Sequence, residues 1–220
     1  MQEKWKQQTQ WIHRALSDTT PIETNELLLP LSTEGQIVRK MTPDPGVVPR
    51  EAAVLVLFYP REGELWFPLT ARSHRLSNHG GEVSLPGGAV DPDDHGPVAT
   101  ALRETYEELG VNPEEIEVWG FLSTIYIPAS NFRLTPVVGF APALPGFCPC
   151  PFEIAEVFSV PVCQILNPST VVTEEWTLHN AQAYVPFFSL NGYKVWGATA
   201  LLLSELVARL RRVNNVHACW

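Results

Sequence analysis

The sequence predicts an α/β protein folded as one sandwich domain, and three observations carry that prediction. Strand-like segments alternate with a few helix-compatible windows, no internal repeat is present, and no linker divides the chain. At 220 residues it is long enough for one well-cored domain. An apolar content of 45% with 18% charged residues excludes disordered and coiled-coil classes. The formal charge of −9 argues against a nucleic-acid coat, which needs a basic surface. It leaves room for a phosphorylated small molecule, because a bound cation inverts the sign of a local acidic site.

Proline punctuates the elements. It is absent from residues 1–20, 98–112 and 187–220, so helices are expected there. In the first window Trp5, Ile12 and Leu16, with Gln8 between them, form a loose helical stripe. Residues 21–50 hold Pro21, Pro30, Pro43, Pro45 and Pro49 and read as an extended arm. The run ending at Phe58 (Ala53–Phe58) is a buried strand, with further strands at Leu65–Thr70 and Glu82–Leu85. A helix is expected over Pro97–Leu109, then strands at Val118–Leu122 and Leu134–Phe140 and a proline-rich loop over 141–151. Strands follow at Val171–Leu178, Ala183–Phe187 and Tyr193–Trp196, and a last helix spans Gly197–Arg212. The expected organisation is a helix and arm (1–50) packed on a domain over 51–215.

Cys148, Cys150, Cys163 and Cys219 lack CxxC spacing, so reduced thiols in a cytoplasmic compartment are expected rather than zinc or disulfides. The N-terminus, with Glu3, Lys4 and Lys6, has no apolar run of the secretory kind. The longest apolar stretch, Val195–Leu203, contains Gly197 and Thr199 and is too short to span a bilayer. Neither a nucleic-acid nor a membrane partner is expected. A homodimer bridged by residues 1–50 stays open, as does their covering the substrate site or packing on the sheet.

The chemistry concentrates in Gly87–Val111. Pro97 suits a first helical turn and Gly110 a left-handed stop. Ala99, Leu102, Tyr106 and Leu109 are expected on one face of this helix, with Glu104, Glu107 and Glu108 opposite at i, i+3 and i+4. Carboxylates so close repel, raising at least one pKa unless a cation sits among them. Hard divalent cations take such oxygen ligands, whereas an acidic helix face can equally be solvated. The preceding turn, Pro86-Gly87-Gly88, lets backbone approach an anion or metal closely. Asp91, Asp93 and Gly96 hint at an EF-hand loop, but Leu102 stands where its bidentate glutamate belongs.

Arg103-Glu104-Thr105-Tyr106-Glu107-Glu108-Leu109-Gly110-Val111 resembles the REUxEExGU core of the Nudix box, with Gly88 resembling its opening glycine. Two positions depart: Thr105 replaces an aliphatic residue, and the loop carrying Asp94 is one residue longer. The resemblance implies a Nudix-type α/β/α sandwich with a mixed central sheet. It also implies that Glu104, Glu107 and Glu108 bind Mg²⁺ or Mn²⁺, that Gly88 lines the metal site, and that Arg103 orients a glutamate. Leu69-Thr70-Ala71-Arg72-Ser73, with Leu76, His79, Gly81, Val83 and Pro86-Gly87-Gly88, is similar to the signature of coenzyme A pyrophosphatases in that group. Segments 130–138, 153–161 and 193–200 resemble further stretches of the same branch.

Arg72, Arg75 and His79, with Gly87, are therefore expected to meet the phosphates of a small nucleotide-containing substrate, coenzyme A or an acyl derivative. Glu107 is the first choice for the group that activates water, and Glu153 or Glu156 could add a ligand or base. The rival readings are Nudix hydrolysis of ADP-ribose, dinucleotides or nucleoside triphosphates, and a non-catalytic nucleotide-binding module. A metal-dependent isomerase on the same fold would want a cysteine near the box, and none lies there.

Overall fold

The structure, a computed structural model, describes residues 4–73, 82–178 and 180–213. In chain order it runs α1 (Lys4–Ser17), β1 (Leu31–Ser32), β2 (Arg50–Arg61), β3 (Glu64–Arg72), β4 (Val83–Ser84), β5 (Gly87–Ala89) and α2 (Pro97–Leu109). It continues with β6 (Glu117–Phe121), β7 (Ile125–Ile127), β8 (Phe132–Phe140), β9 (Ile154–Pro161) and α3 (Val162–Leu166). The last elements are β10 (Val171–Leu178), β11 (Ala181–Leu190), β12 (Tyr193–Val195) and α4 (Gly197–Val213).

The central sheet has the order β4-β3-β2-β8-β6, with β9 on β3, β5 on β2 and β7 on β8. It is mixed: β2 and β8 pair in parallel, and the other ladders are antiparallel. A second, antiparallel sheet joins β1, β11, β10 and β12.

Alternation along β2 builds a core on each face, as the period of two requires. Ala53, Leu55, Leu57 and Tyr59 face α2 with Ala101 and Leu109. Val54, Val56 and Phe58 face the other way, into the core shared with Ile12 of α1 and Leu203 and Leu206 of α4. None of the described helices is long and apolar enough to cross a membrane.

Of the two expected helix faces, that of α1 holds: Gln8 and Ile12 are buried with Trp11 and Ala15, and Trp5 and Leu16 pack on the same core. The buried amide of Gln8 is satisfied, accepting from the Leu65 N–H at 2.6 Å and donating to Cys163 Sγ at 3.3 Å. On α2 Tyr106 is 56% exposed, and the inward stripe is Ala101, Thr105, Glu108 and Leu109. Thr105 is tolerated there because its hydroxyl donates to the Ala101 carbonyl at 2.7 Å, leaving its methyl to pack. β9 and α3 were not expected from periodicity; β9 is stabilised by a long ladder on β3.

Arg212 and Arg209 of α4 hold the N-terminal segment. Arg209 donates to the Asp18 carbonyl at 2.6 Å and is paired to the buried Glu205 at 2.8 Å. Further on, the Leu28 N–H donates to Ser204 Oγ at 3.0 Å, and β1 pairs with β11 through Leu31–Tyr184 and Ser32–Ala183. The arm thus crosses from α4 to the second sheet. No disulfide joins Cys148, Cys150 or Cys163 among the described residues.

Candidate active site

Local chemistry sets α2 in place. It begins at Pro97 in its first turn, and Gly110, at φ +71°, ends it by donating its N–H to the Tyr106 carbonyl at 2.8 Å. The proline-rich loop satisfies two more carbonyls: Cys148 N–H donates to Leu109 at 2.8 Å and Cys150 N–H to Glu108 at 2.9 Å. That loop then delivers Glu153, whose backbone carbonyl accepts from Ser73 N–H at 2.8 Å.

The glycine turn lies against the acidic side of the helix. Gly87 donates its N–H to Glu108 Oε2 at 3.2 Å, and Glu108 is only 2% exposed. Glu104 packs so closely on Gly88 that a Cβ there would stand 2.5–2.6 Å from its carboxylate. Gly88 is thus the space that Glu104 fills.

Arg103 binds the group together. Its Nη1 donates to Glu104 at 2.9 Å and Glu107 at 3.1 Å, and its Nη2 to the Ala89 carbonyl at 3.0 Å. Its Nε and Nη2 form a fork on Asp94 at 3.1 and 2.9 Å. Asp94 also accepts from Thr100 Oγ1 at 2.9 Å and from the Asp91 N–H at 2.9 Å. The bonds from Arg103 hold the Asp94 carboxyl well below the usual carboxylate range. The extra loop residue therefore leaves the Asp94–Arg103 fork intact.

The carboxylates are not equivalent. Burial pushes Glu108 up to about 7, assisted by Glu104 and Glu153 and opposed by the Gly87 N–H and by Arg72. Burial also raises Glu104, against the pull of Arg103, with Glu107 and Glu153 adding to the rise. Burial is the main cause of both rises, and the neighbouring carboxylates add to it. Among the described residues no three His, Cys, Asp or Glu side chains converge as they stand, because Glu107, with a 54% exposed side chain, leans outward onto Arg103.

Of the other predicted residues, Glu156 is taken by Tyr193, whose hydroxyl donates to it at 2.6 Å. Glu153 carries no hydrogen bond on its carboxylate among the described residues and acts electrostatically on both buried glutamates. Arg72 sits at the end of β3, its charge reaching Glu108. Arg75 and His79 lie outside the described residues.

Beside the turn opens a cleft of about 970 Å³, with Arg72, Gly87, Gly88 and Ala89 at its border and Leu134, Val185 and Trp196 among its walls. The glutamates of α2 do not themselves line it and reach it through the turn residues they touch. The arm supplies another wall, with Leu28, Val38 and Arg39. Sequence patterning does not reveal this wall, because an extended proline-rich segment has no periodicity that points a side chain anywhere.

Residues 49–174 match the NUDIX domain family. A relative from Photorhabdus laumondii, an uncharacterized Nudix hydrolase NudL, is 32% identical over 164 residues, spanning 74% of this chain and 86% of that one. The mitochondrial coenzyme A diphosphatase NUDT8 of Homo sapiens is 37% identical over 157 residues, spanning 70% of this chain and 66% of its own. Among solved structures, a MutT protein from Methanosarcina mazei is similar with a TM-score of 0.48 and 18% identity, covering 74% of this chain and 93% of that one. The chain belongs to the Nudix family. Its class is that of a Nudix hydrolase, acting on the pyrophosphate linkage of a small nucleotide-type substrate.

Proposed function

We propose that this protein hydrolyses the pyrophosphate bond of coenzyme A or its acyl derivatives, releasing 4′-phosphopantetheine and adenosine 3′,5′-bisphosphate, with Mg²⁺ or Mn²⁺ as cofactor. The observation that carries the chemistry is the buried Glu108, held on the N–H of Gly87, a residue of the turn that borders the cleft. Support for the substrate comes from the Arg72-to-Gly88 resemblance and from the 37% identity to the human coenzyme A diphosphatase.

In this reading Glu104 and Glu108 would hold the cation together with Glu107, and Gly88 leaves room for the Glu104 carboxylate. When bound, the cation neutralises the diphosphate and lowers the pKa of the attacking water. Arg103 fixes Glu104 and Glu107 while Asp94 fixes Arg103, so positioning is set before substrate arrives. Water attacks one phosphorus, the bridging P–O bond breaks, and the proton lost by the water passes to a carboxylate.

Glu153 is favoured for that proton over Glu107. Its carboxylate has no hydrogen-bond partner among the described residues, whereas Glu107 is tied to Arg103. Glu153→Gln should lower kcat by about 10²–10³-fold, the usual size for loss of a general base. It should leave the thermal stabilisation by Mn²⁺ unchanged. A kcat close to wild type would return the role to Glu107.

Product chromatography tests the substrate. Purified protein with Mg²⁺ or Mn²⁺ is incubated separately with coenzyme A, ADP-ribose, NADH and dATP. Selective release of adenosine 3′,5′-bisphosphate is expected. Preference for any of the other three would overturn the substrate assignment and leave the pyrophosphatase class standing.

A further inference from the structure

Three cations border the cleft: Arg72 beside Glu108, and Lys40 and Arg39 on the arm. Lys40 is already paired with Asp44. Arg39 is different. Its Nη2 donates to the Tyr126 carbonyl at 2.8 Å, its Nε is buried without a partner, and it makes no ion pair among the described residues. A guanidinium withdrawn from water normally has a carboxylate or phosphate to meet it. In a chain of net charge −9, a cation left unmatched on a cleft wall calls for an anion from the ligand.

Its location follows from the sheet. Ala89 of β5 pairs with Ala52 of β2, Leu134 of β8 lies beside Ala52, and Ile125 of β7, next to Tyr126, lies beside Leu134. Three strand spacings of ~4.8 Å put Tyr126 about 14 Å across the sheet from Ala89. In the proposed reading the diphosphate would lie at the turn, beside Glu104 and Glu108. Arg39, bonded to the Tyr126 carbonyl, thus borders the cleft well away from the turn, on the wall that a second anionic group of the ligand would meet.

We infer that Arg39, a residue of the N-terminal arm, is the specificity-determining contact for a phosphomonoester on the nucleoside half of the substrate. The inference rests on the coenzyme A reading for the identity of that group, its 3′-phosphate, and assigns it to the arm rather than to Arg72. The arm would then complete the substrate site and set which nucleotides are bound well. A purely structural role, tethering the arm to β7, would affect all nucleotides alike.

Calorimetric titration of the full chain with adenosine 3′,5′-bisphosphate and with adenosine 5′-monophosphate separates these roles without relying on turnover. The wild type should bind the bisphosphate at least about 10-fold more tightly, the scale of one charge-assisted hydrogen bond. Arg39→Gln should lose that preference and keep its affinity for the monophosphate within about 2-fold. Equal weakening for both ligands, an unchanged preference, or a wild type without preference would overturn the inference. Should Arg39→Gln bind neither ligand, Arg39→Lys decides: it keeps the charge and a donor for Tyr126, so it should retain part of the preference. An Arg39→Lys protein that binds both ligands equally would overturn the inference. A wild type that discriminates through Arg39 yet leaves coenzyme A intact would overturn the coenzyme A reading alone.

Discussion

Glu108→Gln is expected to lower turnover by at least about 10³-fold, on the scale of losing a group that works at the transition state, while making the metal-free protein more stable above pH 7. The two effects share one cause. Glu108 is 2% exposed, and burial lifts its pKa from 4.5 to about 7. A folded-state pKa above the unfolded one means that the fold favours the protonated carboxyl. That contribution is fully present below pH 4.5 and is lost as pH rises through about 7. Glutamine keeps an oxygen for the Gly87 N–H and never ionises, so the variant escapes the loss.

Melting temperatures in chelator at pH 5.5 and pH 8 check this. Wild type should lose more stability than Glu108→Gln between the two. Adding Mn²⁺ at pH 8 should raise the wild type and leave the variant nearly unmoved, because the cation stabilises only the form that binds it. Proton release on metal addition near pH 6 is the calorimetric counterpart. A variant that turns over like wild type would sink the metal-ligand role. A variant less stable than wild type at pH 8 would sink the account of its burial.

The second large effect comes from two adjacent glycines that should fail in opposite ways. At Gly87, with φ +152°, a Cβ would stand 2.3 Å from the Ala53 carbonyl oxygen and 2.5 Å from Val54 Cα. Both are backbone atoms of the central strand and cannot yield. Gly87→Ala should therefore cost about 3 kcal/mol or more of folding stability, combining overpacking with backbone strain.

At Gly88 the same methyl meets only the end of the Glu104 side chain. A flexible side chain can swing aside, so Gly88→Ala should fold with near wild-type melting temperature in chelator. It should lose most of the stabilisation by Mn²⁺ and most of its activity. Thermal scans with and without metal distinguish the pair. Equal behaviour of the two variants would show that the turn acts only as a turn.

Much of the site was legible because its chemistry is local. The span of α2 follows from Pro97 and Gly110, and the spacing of Glu104, Glu107 and Glu108 places them within one helical neighbourhood. Which of them is buried was not legible. An amphipathic reading put Tyr106 inward, yet the helix is rotated so that Ala101, Thr105 and Glu108 face the sheet. Hydrophobic periodicity assumes that burial follows polarity. Here the Gly87 N–H and the Ala101 carbonyl supply partners for two polar groups, and that assumption fails.

The sequence by itself determined the class of fold, the strand and helix order around the glycine turn, and the family, because repeating local patterns and a contiguous motif encode them. Only the tertiary structure decided which carboxylates become special. Glu108 is raised by burial, Glu156 is taken by Tyr193 from a distant strand, and Glu153 is brought to the helix by a loop that caps it. It likewise decided that the arm walls the cleft and that Arg39 reaches it. These outcomes depend on groups far apart in the chain, whose desolvation and pairing exist only once the two cores have packed.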